Sequence, residues 1–254
     1  MGLQDLSGRR VVVTGGASGM GEGIVRAFPA LGASVVSLDL VEESGRAVAE
    51  AAGASFQQVD VSDQSSVDHA IDAAVETLGG LDVLIHAAGI APLAPSESTP
   101  LDLWNTVMAI NATGTMLTNQ TAFRHLKVDG GAILNFASAA GLEGLPQKAA
   151  YSASKGAVLA WTRTVAAEWG QYGITVNAIA PAIWTPMYDI TRSEMPAEQL
   201  VQHDAILAQR IPIGGRLGDI TRDFVPVMAF YASEGAGFVT GQTISIDGGA
   251  LKVR

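Results

Sequence analysis

The chain has 254 residues, 48% of them hydrophobic and 16% charged, which excludes a disordered polyelectrolyte and admits a large buried core. Its 15 Lys and Arg against 25 Asp and Glu give a net charge of −10, so nucleic acid and anionic membrane are poor partners. It has no cysteine, which removes disulfides, thiolate nucleophiles and thiolate metal sites.

Short β-branched runs alternate with helix-period segments along the chain, the pattern of βα units that build a parallel sheet. Strands are expected at 11–13, 34–38, 55–59, 83–85, 132–136, 174–179 and 243–246, and helices at 21–31, 42–52, 65–78, 101–126, 151–169 and 220–232. The strands are apolar on both faces, as strands covered by helices on both sides must be. Two segments depart from this alternation. Residues 91–99 lie among Pro92, Pro95 and Pro100 and read as a loop. Residues 182–218, with a helix at 197–209, read as a substrate lid inserted into a single domain spanning 1–254. Residues 1–10 carry no signal-peptide pattern, and no apolar run reaches membrane-spanning length, so a soluble cytoplasmic protein is expected.

Directly after the first strand comes Thr14-Gly15-Gly16-Ala17-Ser18-Gly19-Met20-Gly21, and a helical pattern opens at once. Glycines let the backbone approach a pyrophosphate, whose charge the helix N-terminus stabilises. Asp39 ends the second strand 20 residues beyond Gly19, where a carboxylate can accept both ribose hydroxyls of an adenosine and repel a 2′-phosphate. No Arg or Lys in the loop offsets that repulsion, so NAD is expected over NADP. Asp60, followed by Val61, ends the third strand and could reach the adenine amino group.

Tyr151 and Lys155 stand four apart on one helix face. A phenol titrates near 10, and a neighbouring ammonium with a cationic nicotinamide would lower that value. Ser138 ends the fifth strand and Asn111 falls in the helix before it. The four histidines, His69, His86, His125 and His203, lack paired ligand spacing, so no metal is expected. Ser152 and Lys155 also match a Ser-x-x-Lys pattern, but the Ser-Asp-Asn and Lys-Thr-Gly strings of such acyl enzymes are absent.

Taken together, residues 14–21, Asp60, Ala87-Ala88-Gly89, Asn111, Ser138, Tyr151 with Lys155, residues 177–181, Gly241-Gln242 and Asp247-Gly248-Gly249 resemble the short-chain dehydrogenase/reductase family over essentially the whole length. The resemblance implies a Rossmann-like, doubly wound, seven-stranded parallel sheet with helices on both faces. It also implies hydride exchange between an alcohol or ketone carbon and nicotinamide, with Tyr151 as acid/base and Ser138 orienting the substrate oxygen. Lys155 would bind the nicotinamide ribose, and Asn111 would hold a relay water. The implied cofactor contacts are Gly15, Ser18, Gly19, Met20, Gly21, Asp39, Leu40, Asp60, Val61, Ala87, Ala88, Gly89, Tyr151, Lys155, Pro181, Ile183 and Thr185.

Three departures from the family pattern stand out. His86 replaces an asparagine and reads as structural, Ala182 replaces a glycine, and residues 211–216 hold an extra glycine. Substrate-pocket candidates are Ala139, Ala140, Leu142, Glu143, Gln147, Trp184, Met187 and Tyr188. The set suggests a hydrophobic or ring-containing secondary alcohol, while Glu143 and Gln147 could equally bind a polyol. A 3-oxoacyl thioester reductase and a non-catalytic NAD(H)-sensing regulator are the alternatives. The family also implies a homotetramer or dimer. Val158, Trp161, Val165 and Trp169 share helical spacing, although such spacing more often marks core.

Overall fold

The computed structural model describes residues 5–251, with Met187 described by its backbone alone. Seven parallel strands form one sheet in the order β3-β2-β1-β4-β5-β6-β7. They are β1 (Arg10–Thr14), β2 (Ser34–Asp39), β3 (Ser55–Gln58), β4 (Val83–His86), β5 (Gly131–Phe136), β6 (Ile174–Pro181) and β7 (Thr243–Ile246). The chain winds outward from β1 to β3, then returns to lay β4 on the other side of β1. That reversal leaves a crevice beyond the carboxyl ends of β1 and β4, where open α/β sheets bind ligands.

Successive side chains of each strand alternate between two cores. Val11 and Val13 pack with Ile24 and Val25 of α1 (Gly19–Ala27), Val48 of α2 (Glu42–Ala52), and the buried Met228 and Ala229. Val12 and Leu84 face the other way, onto Ile71 of α3 (Gln64–Leu78). Both faces are thus sealed, as the unbroken apolar strands require. Across the α3 side run α4 (Leu101–Met108), α5 (Gly114–Leu126) and α7 (Ala149–Trp169), with the short α6 (Ala140–Glu143) before α7.

Several expected helices have different boundaries, each for a local reason. The first starts at Gly19 and stops at Ala27, because Pro29 has no N–H to donate and opens a tight turn, Pro29–Leu31. The long helix expected at 101–126 is split by a π-helical turn, Ala109–Thr113, in which Asn111 lies. The Thr115 hydroxyl donates to the Asn111 carbonyl at 2.7 Å. The helix expected at 220–232 likewise opens with a π-helical turn, Ile220–Phe224, and continues as α10 (Val225–Ala232).

Residues 182–218 hold two helices, α8 (Pro186–Ser193) and α9 (Ala197–Arg210). The first was legible only in Thr185-Pro186, a capping residue followed by a proline at the first helical position. The two helices are tied together by polar and aromatic contacts. Tyr188 Oη and His203 Nε2 share a hydrogen bond at 2.5 Å, Arg192 pairs with Asp204, and the Arg192 guanidinium lies 4.9 Å from the Trp184 ring centre. Val158, Val165 and Trp169 are buried within the chain's own core, and Trp161 donates to Asn119 at 3.0 Å. The spacing of Val158, Val165 and Trp169 therefore marks core, with Trp161 partly buried against it.

In the first crossover, a Cβ at Gly21 would lie 2.1 Å from the Gly15 carbonyl oxygen. Gly21→Ala must push backbone aside, so it should lower stability by about 1–3 kcal/mol, seen as a fall of several degrees in Tm. An unchanged melting curve would show that the loop has room to spare.

Candidate active site

A cavity of about 440 Å³ opens at the carboxyl ends of the central strands. One side is the loop between β1 and α1, where Gly15 (φ +70°) and Gly19 (φ +57°) take left-handed conformations that favour glycine. Ser18, Met20 and Gly21 complete that wall, and Pro181 and Thr185 close it from the far side of the sheet. The Thr185 hydroxyl also caps α8, accepting from the Tyr188 N–H at 3.4 Å.

Asp39 stands at the rim with its carboxylate fixed by two backbone amides, Ala17 N–H and Val41 N–H, each at 3.0 Å. Beside it, Leu40 and Val41 are 59% and 55% exposed. Among the described residues lining the cavity, Lys155 is the only cation. Asp60 and Val61 also line it, but the Asp60 carboxylate accepts from both the N–H and the hydroxyl of Ser62, at 2.9 and 2.6 Å. Both contacts fall on Oδ1, so Asp60 shapes its own turn while it stands in the cavity wall. Ala87, Ala88 and Gly89 continue the wall from β4. A Cβ at Gly89 would come within 3.1 Å of Asn111 Oδ1 and 3.5 Å of Lys155 Nζ, so the missing side chain keeps the floor of the cavity open.

The floor carries Ser138, Tyr151 and Lys155. Ser138 follows β5, and its hydroxyl accepts from Ala140 N–H at 3.1 Å. Tyr151 and Lys155 project from the first turns of α7. The Lys155 ammonium donates to the Phe136 carbonyl at 2.6 Å, 5.8 Å from the Tyr151 ring centre. Burial pushes the Lys155 pKa down to about 8. Burial also pushes the Tyr151 phenol above its ordinary value of 10, against which the hydrogen bond from Ser138 works. In the protein alone desolvation outweighs that hydrogen bond; the lowered value expected above also needs the cationic nicotinamide.

Asn111 is fully buried behind the cavity. Its side chain accepts from Ile90 N–H at 2.9 Å, donates to the Ile90 carbonyl at 2.9 Å and donates to Ser154 Oγ at 3.0 Å. It thus pins the loop after β4 to α7. Its backbone carbonyl accepts from the Thr115 hydroxyl at 2.7 Å.

Other expected positions fall elsewhere. Ile183 packs into the core and does not line the cavity. Nor do Ala139, Ala140, Leu142, Glu143, Gln147, Trp184 and Tyr188; Ala140 is buried, Glu143 pairs with Arg210 of α9, and Trp184 donates to Asp189 at 2.7 Å. The Met187 side chain lies outside the described residues. The cavity is lined instead by Val41, Val59, Ile90, Ala91, Ile110, Phe136, Ala137 and Pro186 as well. These had only one sequence signal, adjacency to Asp39, Asp60, Gly89, Asn111, Ser138 and Thr185.

His86 is wholly buried at the end of β4, its Nδ1 3.0 Å from the hydroxyls of both Thr14 and Thr118. Thr14 Oγ1 in turn accepts from Ala88 N–H at 3.3 Å. Imidazole therefore fastens β1, β4 and α5 together, in keeping with a structural role. Burial, helped by the charge of Lys155, drives its pKa from 6.5 down to about 3. Between those values the unfolded chain binds a proton that the folded chain refuses, so stability falls as pH drops below about 6.5, by up to ~1.4 kcal/mol per pH unit. Urea unfolding from pH 7 to 4.5 should show a shallower pH slope in His86→Asn; parallel slopes would contradict the assignment.

The chain is similar to proteins of one family throughout. A family model described as enoyl-(acyl carrier protein) reductase matches residues 15–250. D-threitol dehydrogenase of Mycolicibacterium smegmatis is 35% identical over 260 residues, covering 96% of this chain and 93% of that one. Cis-4-hydroxycyclohexanecarboxylate dehydrogenase of Sinomonas cyclohexanicum is 38% identical over 252 residues, covering 96% and 97%. The structure of a short-chain type dehydrogenase/reductase from Mycobacterium ulcerans superposes with a TM-score of 0.87 at 27% identity, covering 96% and 90%.

Proposed function

The chain belongs to the short-chain dehydrogenase/reductase family, and from that premise we propose that it interconverts a secondary alcohol and a ketone with NAD as hydride partner. The observation that carries this reading is the meeting of Ser138, Tyr151 and Lys155 on the floor of the cavity whose rim is the glycine loop and Asp39. The dehydrogenases it resembles act, by their names, on a polyol and on a hydroxylated ring acid, which supports an alcohol as substrate.

The residues present fit a nicotinamide dinucleotide. Gly15 and Gly19 allow a close backbone approach, and the N-terminus of α1 offers amides and partial positive charge to a pyrophosphate. The Asp39 carboxylate, already aimed by two amides, would accept ribose hydroxyls and repel a 2′-phosphate; exposed Leu40 and Val41 offer no cation to relieve that repulsion. When bound, the dinucleotide supplies the carbon that accepts or gives the hydride.

The chain supplies proton handling and orientation. In the oxidation direction Ser138 Oγ holds the carbinol oxygen, and Tyr151 Oη, once its own proton has passed to solvent and left the phenolate, takes the carbinol proton. In reduction the same phenol, kept protonated by its burial, donates to the carbonyl oxygen. Lys155, fixed by the Phe136 carbonyl, keeps positive charge beside the developing phenolate. Residues 182–218 would act as the lid over this floor, with Thr185 and Pro186 bordering the cavity.

Two measurements test the reading. Tyr151→Phe should lower kcat by about 10²–10⁴ with NADH affinity held within about threefold, since only the phenol oxygen is removed. Retained turnover would reject the acid/base role. Asp39→Ala should cost NAD about 10–100-fold in kcat/KM and raise the use of NADP; an unchanged preference would show that the carboxylate does not select.

A further inference from the structure

One buried hydroxyl on α7 has no part in the proposed chemistry, yet it joins two sides of the site. Ser154 lies between Tyr151 and Lys155 in the chain and is fully buried. Its Oγ accepts from Asn111 Nδ2 at 3.0 Å and donates to the Tyr151 carbonyl at 2.8 Å. In an α-helix that same carbonyl accepts the Lys155 N–H, four residues on. The Ser154 hydroxyl therefore meets the peptide group that links the reacting phenol to the neighbouring ammonium.

The other end of this chain of bonds lies in the cavity wall. Asn111 Oδ1 accepts from the Ile90 N–H at 2.9 Å, which fixes the sense of the amide. Both hydrogens of Nδ2 then have acceptors, one in the Ile90 carbonyl at 2.9 Å and the other in Ser154 Oγ. Gly89 and Ile90 both line the cavity. Asn111 Oδ1 and Lys155 Nζ face Gly89 together, at 3.1 and 3.5 Å from where a Cβ would stand.

Other contacts leave this spacing to the serine. The first turn of α7, which carries Tyr151, has no side-chain cap to fix it. The Lys155 side chain ties α7 to the end of β5, whereas Gly89 and Ile90 follow β4. The Ser154–Asn111 bond is what joins α7 to that wall. Buried and directional, such a bond sets a separation more narrowly than apolar packing does.

We propose that Ser154 is a positioning residue for the reaction: its hydroxyl holds the Tyr151–Lys155 turn at a fixed separation from the Gly89–Ile90 wall. This deepens, and rests on, the alcohol–ketone reading above. Ser154 does not line the cavity and moves no proton; it acts through Asn111 on one side and the Tyr151 peptide on the other. Without the hydroxyl, one buried Nδ2 hydrogen loses its acceptor, and the turn and the wall can shift against each other. Such a shift reaches the rate because reacting groups must meet within a narrow range of geometry.

The test compares Ser154→Ala with Ser154→Thr, which keeps the hydroxyl, using NAD and a panel of cyclic and polyol secondary alcohols. Ser154→Ala should lower kcat by about 10–100-fold with KM for NAD held within about threefold, and Ser154→Thr should recover most of the loss. Active protein is counted by titrating NADH sites, so an unfolded fraction does not enter kcat. Amide hydrogen exchange gives a readout independent of turnover. Ser154→Ala should speed exchange of the Ile90 N–H by about tenfold relative to that of Val12 in the middle of β1, and Ser154→Thr should not. Faster Ile90 exchange in Ser154→Ala supports the link even if the wild type oxidises no alcohol, in which case the redox reading alone fails. Wild-type kcat in Ser154→Ala overturns the proposal and leaves the redox reading standing. An unchanged Ile90 rate, equal losses of kcat in Ser154→Ala and Ser154→Thr, or exchange that rises equally at Ile90 and Val12 also overturns it, the last because a serine that only stabilised the fold would act on both amides alike.

Discussion

The Lys155 ammonium donating to the Phe136 carbonyl is the contact on which the cavity floor depends. That carbonyl ends β5, two residues before Ser138, while the lysine belongs to α7, one helical turn beyond Tyr151. One hydrogen bond therefore sets the phase of the helix against the sheet, and with it the approach of the phenol to the serine hydroxyl. The bond replaces water that Lys155 gives up on burial, which is why a charged group can be held almost without solvent. Gly141 shows how closely α6 and α7 meet: a Cβ there would lie 2.6 Å from the Lys155 carbonyl carbon.

Behind the floor, a buried polar layer holds the strands and helices in register. His86 joins Thr14 of β1 to Thr118 of α5, and next to it Asn135 of β5 exchanges two amide bonds of 2.9 Å with Asn119. Such groups are costly to bury without partners and directional when paired, so they fix the position of α5 more narrowly than apolar packing could. His86 Nε2 remains without a partner among the described residues, and that cost falls on a neutral ring. The π-helical turn belongs to the same construction. By widening the helix at Asn111, it brings the asparagine amide to Ile90 and Ser154, and so couples the loop beside the glycine wall to the helix that bears Tyr151.

Much of this was legible in the sequence. The β-branched runs matched the strands because a doubly covered parallel strand needs apolar residues on both faces, and α2 fell on its expected residues because nothing but local periodicity and Gly53 sets its limits. The glycine loop, Asp39, Ser138, Tyr151 and Lys155 came together because each lies at the end or start of an element whose place in the sheet follows from topology. What could not be read depended on contacts between distant segments. The split helix at Asn111 is tied to Ile90 and Ser154, the environment of His86 is set by two threonines on other elements, and the placing of residues 182–218 by pairs such as Arg192 with Asp204 and Glu143 with Arg210. The substrate candidates Glu143 and Trp184 do not line the cavity for the same reason: Glu143 pairs with Arg210 and Trp184 donates to Asp189.

The electrostatic character of the site follows from its few charges. Asp39 sets a carboxylate at one end of the cavity, and the Lys155 ammonium stands beside the Tyr151 ring at the other. The central claim is that hydride leaves a substrate carbon on this floor for a nicotinamide held against the glycine wall. Its most direct test is isotopic: NAD is incubated with a panel of cyclic and polyol secondary alcohols deuterated at the carbinol carbon, and the recovered nicotinamide is read by NMR. Deuterium at C4, on one face only, is the predicted result. Recovery of unlabelled cofactor across the panel, or hydrogen drawn from solvent at C4, would contradict it.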